Sequence, residues 1–520
     1  MTQHHDVIII GAGAAGLATA LSLNDRKVTV LAKAPLGQGA ASAWAQGGIA
    51  AAVGADDDAT MHAADTIAVA AGIAESDMVA LITKGGPAAI RRLAEWGAEF
   101  DAGPDGAFRL GREAGHGRRR IVHAAGDATG REVMRALTAA VARAPWVSVR
   151  ENVSAGALRV EDGRVAGVAA DGAMLGADAV VLATGGIGQL YRRTTNPPTA
   201  RGDGIALAAR AGARLADLEF VQFHPTALDV GRDPMPLATE ALRGEGATLV
   251  NDQGLRFMKA VHPDAELAPR DVVARAIWRQ RQAGQRVYLD CRDAIGVSFA
   301  KRFPTVHGLC AAAGIDPAHE PIPVAPATHY HMGGIATDAA GRSSVAGLWA
   351  CGEVASTGLH GGNRLASNSI LEAVVMAGRV AADIAAQPAP RPPKARKRTT
   401  AQPAGGAGDI GQIALLRRVM DERVGVVRDE AGLLAALGAF AAMETALPPG
   451  AGGLANMLLV AKLVATAALE RRESRGSHFR SDHPDAASVW QHRQYLTLAA
   501  MEQIIAERLG FAPIRRRVQA

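Results

Sequence analysis

Cysteine is scarce: Cys291, Cys310 and Cys351 are the three in 520 residues, with no CxxC spacing. An odd, scattered set argues against a disulfide framework, a zinc site or an iron–sulfur cluster, and for a reducing, cytoplasmic compartment. Aromatics make up 4% of the chain, and none is interleaved with basic residues as nucleic-acid modules require. No apolar run is expected to reach the roughly 18 residues of a membrane span. The polar lead "MTQHH" runs straight into a strand, so no signal peptide is expected. Net charge is only +5, and "RPPKARKR" (391–398) holds five basic residues without an acid. The rest is near neutrality, so neither a nucleic-acid nor a membrane partner is expected.

What remains is an ordinary globular composition, 48% hydrophobic and 21% charged, long enough for two to four domains. "DVIIIGAGAAGLATALSLNDRKVTVLAK" reads as strand, glycine turn, helix and strand. "ADAVVLATGG" and "GLWACGEVA" repeat the strand-plus-turn pattern far downstream. One nucleotide-binding sheet assembled from distant segments is predicted, over 1–217 and 331–385. Residues 218–330, rich in Pro, His and Arg, read as an inserted cap. Residues 386–408 read as a linker and 409–520 as three or four helices.

Gly11, Gly13 and Gly16 form GxGxxG at a strand end, with Ala14 and Ala15 opening the helix. Such a turn lets a pyrophosphate approach free N–H groups at a helix N-terminus. The acid expected about 20 residues on, for an adenosine ribose, is missing. Ala32 and Lys33 stand there, so Lys33 is assigned to that end. Ala183, Thr184, Gly185 and Gly186 form the second turn. Glu353, after a strand-end glycine, suits the polyol of FAD better than NAD; its bland alternative is a helix-capping acid. A scattered polar set follows: Gln222, His224, Thr239, Glu240, Arg243, Arg270, His329 and Arg364. Arginine forks with neutral donors suit a small dianion.

The stretches "AQGGIAA", "HAAGDATG", "QFHPTAL", "TEALRGEG", "GLWACGEVA" and "GLHGGNRLASNSILE" resemble the flavoprotein family of succinate dehydrogenase, fumarate reductase and L-aspartate oxidase. The resemblance implies an α/β, glutathione-reductase-like FAD-binding domain, an inserted α+β capping domain and a C-terminal helical bundle. It adds Ser42, Ala45, Gln46, Gly47, Gly48, Asp203, Ser369 and Ile370 to the cofactor contacts, and Ser367 to the substrate contacts. The helix opening at Ser367–Ile370 would face the flavin N1–C2=O edge. Membrane-bound relatives carry a flavin-linking histidine five residues before the Gln of AQGG; here that position is Ala41, so non-covalent FAD is implied.

In succinate-oxidising relatives an uncharged stretch stands where "REAGHGRRRIVHA" places Glu113. That acid is expected to meet a substrate ammonium, with its pKa depressed by nearby Arg and His. His116 and Arg118 to Arg120 read either as loop-positioning contacts or as a solvated patch, and His123 as structural. His224, Thr239, His329 and Arg364 would hold carboxylates, supported by Gln222 and Arg243. Arg270 would serve as a proton group or as an electrostatic clamp. The implied reaction is oxidation of L-aspartate to iminoaspartate, with dioxygen or fumarate as acceptor, opening quinolinate and NAD biosynthesis. Quinolinate synthase is the candidate partner. A soluble fumarate reductase or succinate dehydrogenase flavoprotein is the alternative.

Overall fold

The computed structural model describes residues 4–387, 410–448 and 450–510. The basic segment 391–398, and the expected linker from residue 388 on, lie outside these described residues.

The apolar run before the first glycine forms the central strand, His4–Ile10. It pairs in parallel with Val28–Leu31 on one side and Ala173–Leu182 on the other. Val147–Arg150 extends the first side, and Leu348–Ala350 joins Ala173–Leu182 in parallel. The three strand-plus-glycine segments therefore do meet in one sheet. The antiparallel strands Ala155–Glu161 and Arg164–Ala170 complete its far edge. Side-chain alternation explains why both faces are apolar. Val7 and Ile9 pack into one core with Leu371 and Val374 of the helix Asn368–Ala385. Ile8 and Ile10 share the other core with C-terminal residues such as Leu458 and Val464.

The cap is built on a four-stranded antiparallel sheet ordered Val221–Leu228, Ile322–His331, Val287–Asp290 and Thr248–Asn251. The helix Arg270–Gln282 packs on it through Val273, Ala276 and Ile277. Arg270 at its N-terminus and His224 of the first strand line a cavity that also reaches the glycine turn of the nucleotide-binding sheet.

Four C-terminal helices are described: Ile410–Arg423, Glu430–Thr445, Gly452–Glu470 and Leu498–Leu509. The third has a mean hydropathy of 1.6 and is long and apolar enough to cross a membrane, though 83% of it is buried in the fold. This corrects the expectation that no apolar run reaches that length, which stopped at the polar Asn456, Lys462 and Thr466; it is a core helix, packed with Val180 and Ile205. Between the last two helices runs an irregular segment that the helical reading did not anticipate. Its strand Tyr495–Leu496 pairs with Leu215–Ala216, where the chain leaves the nucleotide-binding sheet for the cap.

Candidate active site

A cavity of about 1290 Å³ runs from the glycine turn to the cap, larger than the roughly 300–1,000 Å³ of a single small-ligand pocket. Gly11 turns the chain at φ +114°, and a Cβ there would sit 2.2 Å from the Ala183 carbonyl oxygen. Gly13, Ala14 and Ala15 line the cavity. The helix starting at Ala14 has no side-chain cap at Gly13, and the Ala14 N–H donates to Ser42 Oγ at 3.2 Å. Gly16 does not line the cavity. A Cβ on Gly16 would lie 2.0 Å from the Gly11 carbonyl, so this glycine serves close packing of helix on turn rather than ligand approach.

Ser42, Ala45, Gln46, Gly47, Gly48, Ala183, Thr184, Gly185, Gly186, Ser369 and Ile370 all line the cavity. Glu353 stands over Gly186, where a Cβ would meet its carboxylate at 2.1 Å. It accepts from the His331 N–H at 3.0 Å, and burial pushes its pKa up to about 7. At the other end, Lys33 pairs with Asp203 at 2.6 Å, and Asn456 of the apolar C-terminal helix also donates to Asp203 at 2.8 Å. Nothing in the sequence pattern marked Asn456. A helix N-terminus for a pyrophosphate, a carboxyl and an ammonium for hydroxyls, and a second helix start at Asn368 together fit FAD.

Under the cap the polar set converges. Glu113, His224, Thr239, Glu240, Arg270, His329, Arg364 and Ser367 line one end of the same cavity. Arg270 is fixed by Glu240, with Nε to Oε2 at 2.6 Å. Gln222 Oε1 accepts from Arg270 Nη1 at 2.9 Å and from Arg364 Nε at 3.2 Å, so one amide sets the spacing of two guanidinium groups. Arg243 pairs with Glu240 at 2.9 Å. Gln222 and Arg243 do not line the cavity, so the structure leaves them the supporting role and no direct substrate contact. Both are fully buried behind it because their bonds are spent on Arg270, Arg364 and Glu240.

Burial alone would raise Glu240, but Arg270 and Arg243 outweigh it and hold it below the usual carboxylate range. Burial, then the neighbouring Arg270, lowers Arg364 to about 10, so it keeps its charge at neutral pH. Burial, with the arginine charges, holds His224 and His329 well below the usual imidazole range, hence neutral. Their rings stand 5.0 Å apart, and His329 Nδ1 is bonded to Thr195 Oγ1 at 2.9 Å. Tyr330 lies under Arg364, with the guanidinium carbon 4.5 Å from the ring centre. Thr195 and Tyr330 were missed; only the adjacency of Tyr330 to His329 could have signalled it.

Glu113 is buried, and Ser367 Oγ donates to its Oε2 at 2.6 Å. Gly47 leaves no alternative on its other side, since a Cβ there would lie 2.7 Å from Oε1. The expected depression of its pKa is wrong. Burial, reinforced by Glu240, raises it against the weaker pull of Arg270 and Arg364. The adjacent arginines give no help: Arg118 and Arg119 are exposed, and Arg120 is consumed by Asp57 and Asp65 at 2.8 and 2.6 Å. His116 is buried, with Nε2 bonded to the Ala366 carbonyl, and His123 pairs with Asp101 away from the cavity. Among the described residues no cluster of His, Cys, Asp and Glu is placed to hold a metal ion.

The family described as FAD binding domain matches residues 6–370, and that described as fumarate reductase flavoprotein C-term matches 450–515. An L-aspartate oxidase of Agrobacterium fabrum is 50% identical over 93% of this chain and 92% of its own length. One from Mesorhizobium japonicum is 51% identical over 93% of each. Among solved structures, E. coli quinol fumarate reductase matches at TM-score 0.85 and 30% identity, covering 94% of both chains. The Mycobacterium smegmatis Sdh1 complex with UQ1 matches at TM-score 0.80 and 32% identity, covering 94% of this chain and 91% of its own.

Proposed function

The chain belongs to the flavoprotein family of succinate dehydrogenase, fumarate reductase and L-aspartate oxidase, and from that premise we propose that it oxidises L-aspartate to iminoaspartate with dioxygen or fumarate as acceptor. It is an FAD-dependent oxidoreductase. The observation that carries the substrate is the buried carboxylate of Glu113 in a site otherwise built for anions.

The charges match L-aspartate. Arg243 and Arg270 share Glu240, so these three leave one positive charge and Arg364 adds a second. Two carboxylates balance that pair. The substrate ammonium then needs an acid, and Glu113 is the one left. FAD, when bound, supplies the two-electron oxidant that takes hydride from the substrate Cα. Gly11, Gly13 and the Ala14 helix start would hold its pyrophosphate, Glu353 its polyol, Lys33 and Asp203 its adenosine end. Arg364 and Arg270 clamp the carboxylates, with neutral His224 and His329 and the Thr239 hydroxyl as further donors. Arg270 acts through its charge, held against Glu240 and Gln222. Glu113, oriented by Ser367, would hold the ammonium and accept the proton that the amine sheds.

Ala41 lines the cavity where covalent relatives place histidine, which supports non-covalent FAD; acid denaturation should leave all flavin in the supernatant. Three buried cysteines without a disulfide and the internal position of the apolar helix support a cytoplasmic location. Quinolinate synthase is proposed to receive the hydrolytically labile product. The division at 217/218 and 330/331 is likewise our reading, supported by a cap sheet spanning Val221 to His331.

Anaerobic mixing with L-aspartate, D-aspartate and succinate tests the substrate. Bleaching of the yellow absorbance by L-aspartate is expected. Bleaching by succinate but not L-aspartate would overturn the reading in favour of the dehydrogenase branch.

A further inference from the structure

The helix Ala59–Val69 does not line the cavity. It nevertheless bonds to both chain segments that carry the Glu113–Ser367 pair, at Gly117 and Arg120 on one and at Asn368 on the other. The loop 112–120 has no regular structure between the two-residue strands Leu110–Gly111 and Ile121–Val122. Left alone, it could not hold Glu113 to a fraction of an ångström. Asp65, on this helix, accepts from the Gly117 N–H at 2.7 Å and from Arg120 Nη1 at 2.6 Å through one oxygen. Asp57, just before the helix, takes the other side of the fully buried Arg120 with two bonds of 2.8 Å. Asp58 caps the helix, accepting from the N–H groups of Thr60 and Met61.

The same helix holds the turn that presents Ser367. His62 Nε2 is 2.8 Å from Asn368 Oδ1, and Asn368 Nδ2 donates to Thr66 Oγ1 at 3.1 Å. Ser367 itself sits at φ +62°, a left-handed conformation costly for a residue with a side chain. A cross-tie closes the assembly. His116 Nε2 lies 3.0 Å from the Ala366 carbonyl, and its own carbonyl accepts from Arg112 Nε at 2.9 Å. A carbonyl only accepts, so Nε2 carries the proton, in keeping with a ring that burial holds near pKa 4 and hence neutral.

Glu113 and Ser367 are 254 residues apart in sequence and meet at 2.6 Å. We infer that the helix Ala59–Val69, through Asp65, Thr66 and His62, is the positioning element that sets the amine-recognition geometry, with Asp65 as its principal positioning residue. This rests on the ammonium role of Glu113. It also explains the arginine run: one member, Arg120, is the loop's anchor, and the two exposed ones are solvated.

The test measures kcat/KM for L-aspartate oxidation and for fumarate reduction in the FAD-loaded enzyme. Asp65→Ala should lower the aspartate value about tenfold, mostly through KM, on the scale of one weakened charge-assisted bond. Fumarate reduction should change less than twofold. Asp65→Asn, which keeps an acceptor for Gly117, should recover part of the loss. Adding Asp65→Ala to Glu113→Gln should cost aspartate nothing further. Thr66→Val, isosteric and buried, should show the same substrate bias if Asp65→Ala fails to fold. Equal losses on both substrates in these variants would overturn the inference, because a merely structural helix damages both. No effect from Asp65→Ala, with Glu113→Gln selectively harming aspartate, would overturn it while leaving the ammonium reading intact. If Glu113→Gln harms both substrates equally, the ammonium reading falls and the inference with it.

Discussion

A carboxylate buried as deeply as Glu113 disfavours its own charge, and the Ser367 hydrogen bond with the more distant Arg270 and Arg364 offsets this in part. Its pKa is raised in the folded chain. The sign follows from linkage: the increment of stability is present below the unfolded pKa and lost as pH rises through the folded one. Glu113→Gln does not titrate, so its melting temperature should gain on that of the native flavin-free protein as pH rises above the ordinary carboxylate value of about 4, the gain levelling off once the raised folded pKa is passed. A variant that instead melts lower at neutral pH would mean that Glu113 is a structural ion-pair partner. Arg364 carries the complementary burden. It is fully buried, bonded to Gln222 and Ser369, and stacked on Tyr330. Arg364→Ala leaves a carboxylate unpaired in the site, which costs about 3–5 kcal/mol, or roughly a hundred- to several-thousand-fold in kcat/KM. Steady-state kinetics should place the loss in KM for aspartate, together with weaker inhibition by succinate.

At the scale of elements, the strand–turn–helix unit at the N-terminus does the positioning for the cofactor. Gly11→Ala puts a methyl 2.2 Å from the Ala183 oxygen at φ +114°, so the two strand ends must separate. Flavin content after purification should fall to near zero; a variant retaining a full complement of FAD would show that the turn is not the cradle. This unit was legible because its cues are local: a β-type apolar run, glycines at fixed offsets and a helix directly behind them. The glycines' separate roles were not, since the motif does not tell Gly13, on the cavity wall, from Gly16, on the packing side. The irregular segment 471–497 escaped for the opposite reason. "RRESRGSHFRSD" falls within the expected helical bundle, yet it forms no regular helix and Arg471, Glu473 and Arg480 are fully buried. Their partners include Glu219, 252 residues away, and no local pattern encodes such a pairing. The arginine run 118–120 teaches the same lesson. Three identical letters stand in a row, and only partners more than 50 residues distant pull Arg120 inside.

For the whole molecule, the C-terminal segment holds the point where the chain crosses into the cap. Arg493 bonds Asp217 at 2.7 Å and the Ser356 carbonyl at 3.0 Å, and Asp217 is itself buried with φ +59°. Arg493→Met removes the charge and leaves Asp217 unpaired, so unfolding should become easier by roughly 3 kcal/mol. Thermal melts of the FAD-loaded protein would read this as a lowered Tm; an unchanged Tm would mean that the strand pairing of Leu215–Ala216 and the bonds of Asp217 to Ser356 and Gln494 suffice to hold the crossing. With that frame in place, cap, sheet and helix ends bring residues from six separate stretches to one small anion site, in which Glu240 is spent on Arg243 and Arg270 and Glu113 is the acid left for a substrate. The central claim is that this acid selects an amino-dicarboxylate. The most direct measurement is kcat/KM of Glu113→Gln for L-aspartate oxidation set against fumarate reduction in the same preparation. A charge-assisted bond of roughly 1.5–3 kcal/mol predicts a ten- to hundred-fold loss on aspartate, and a distinctly smaller one on fumarate, which carries no cation. Matched losses on the two substrates would contradict the account.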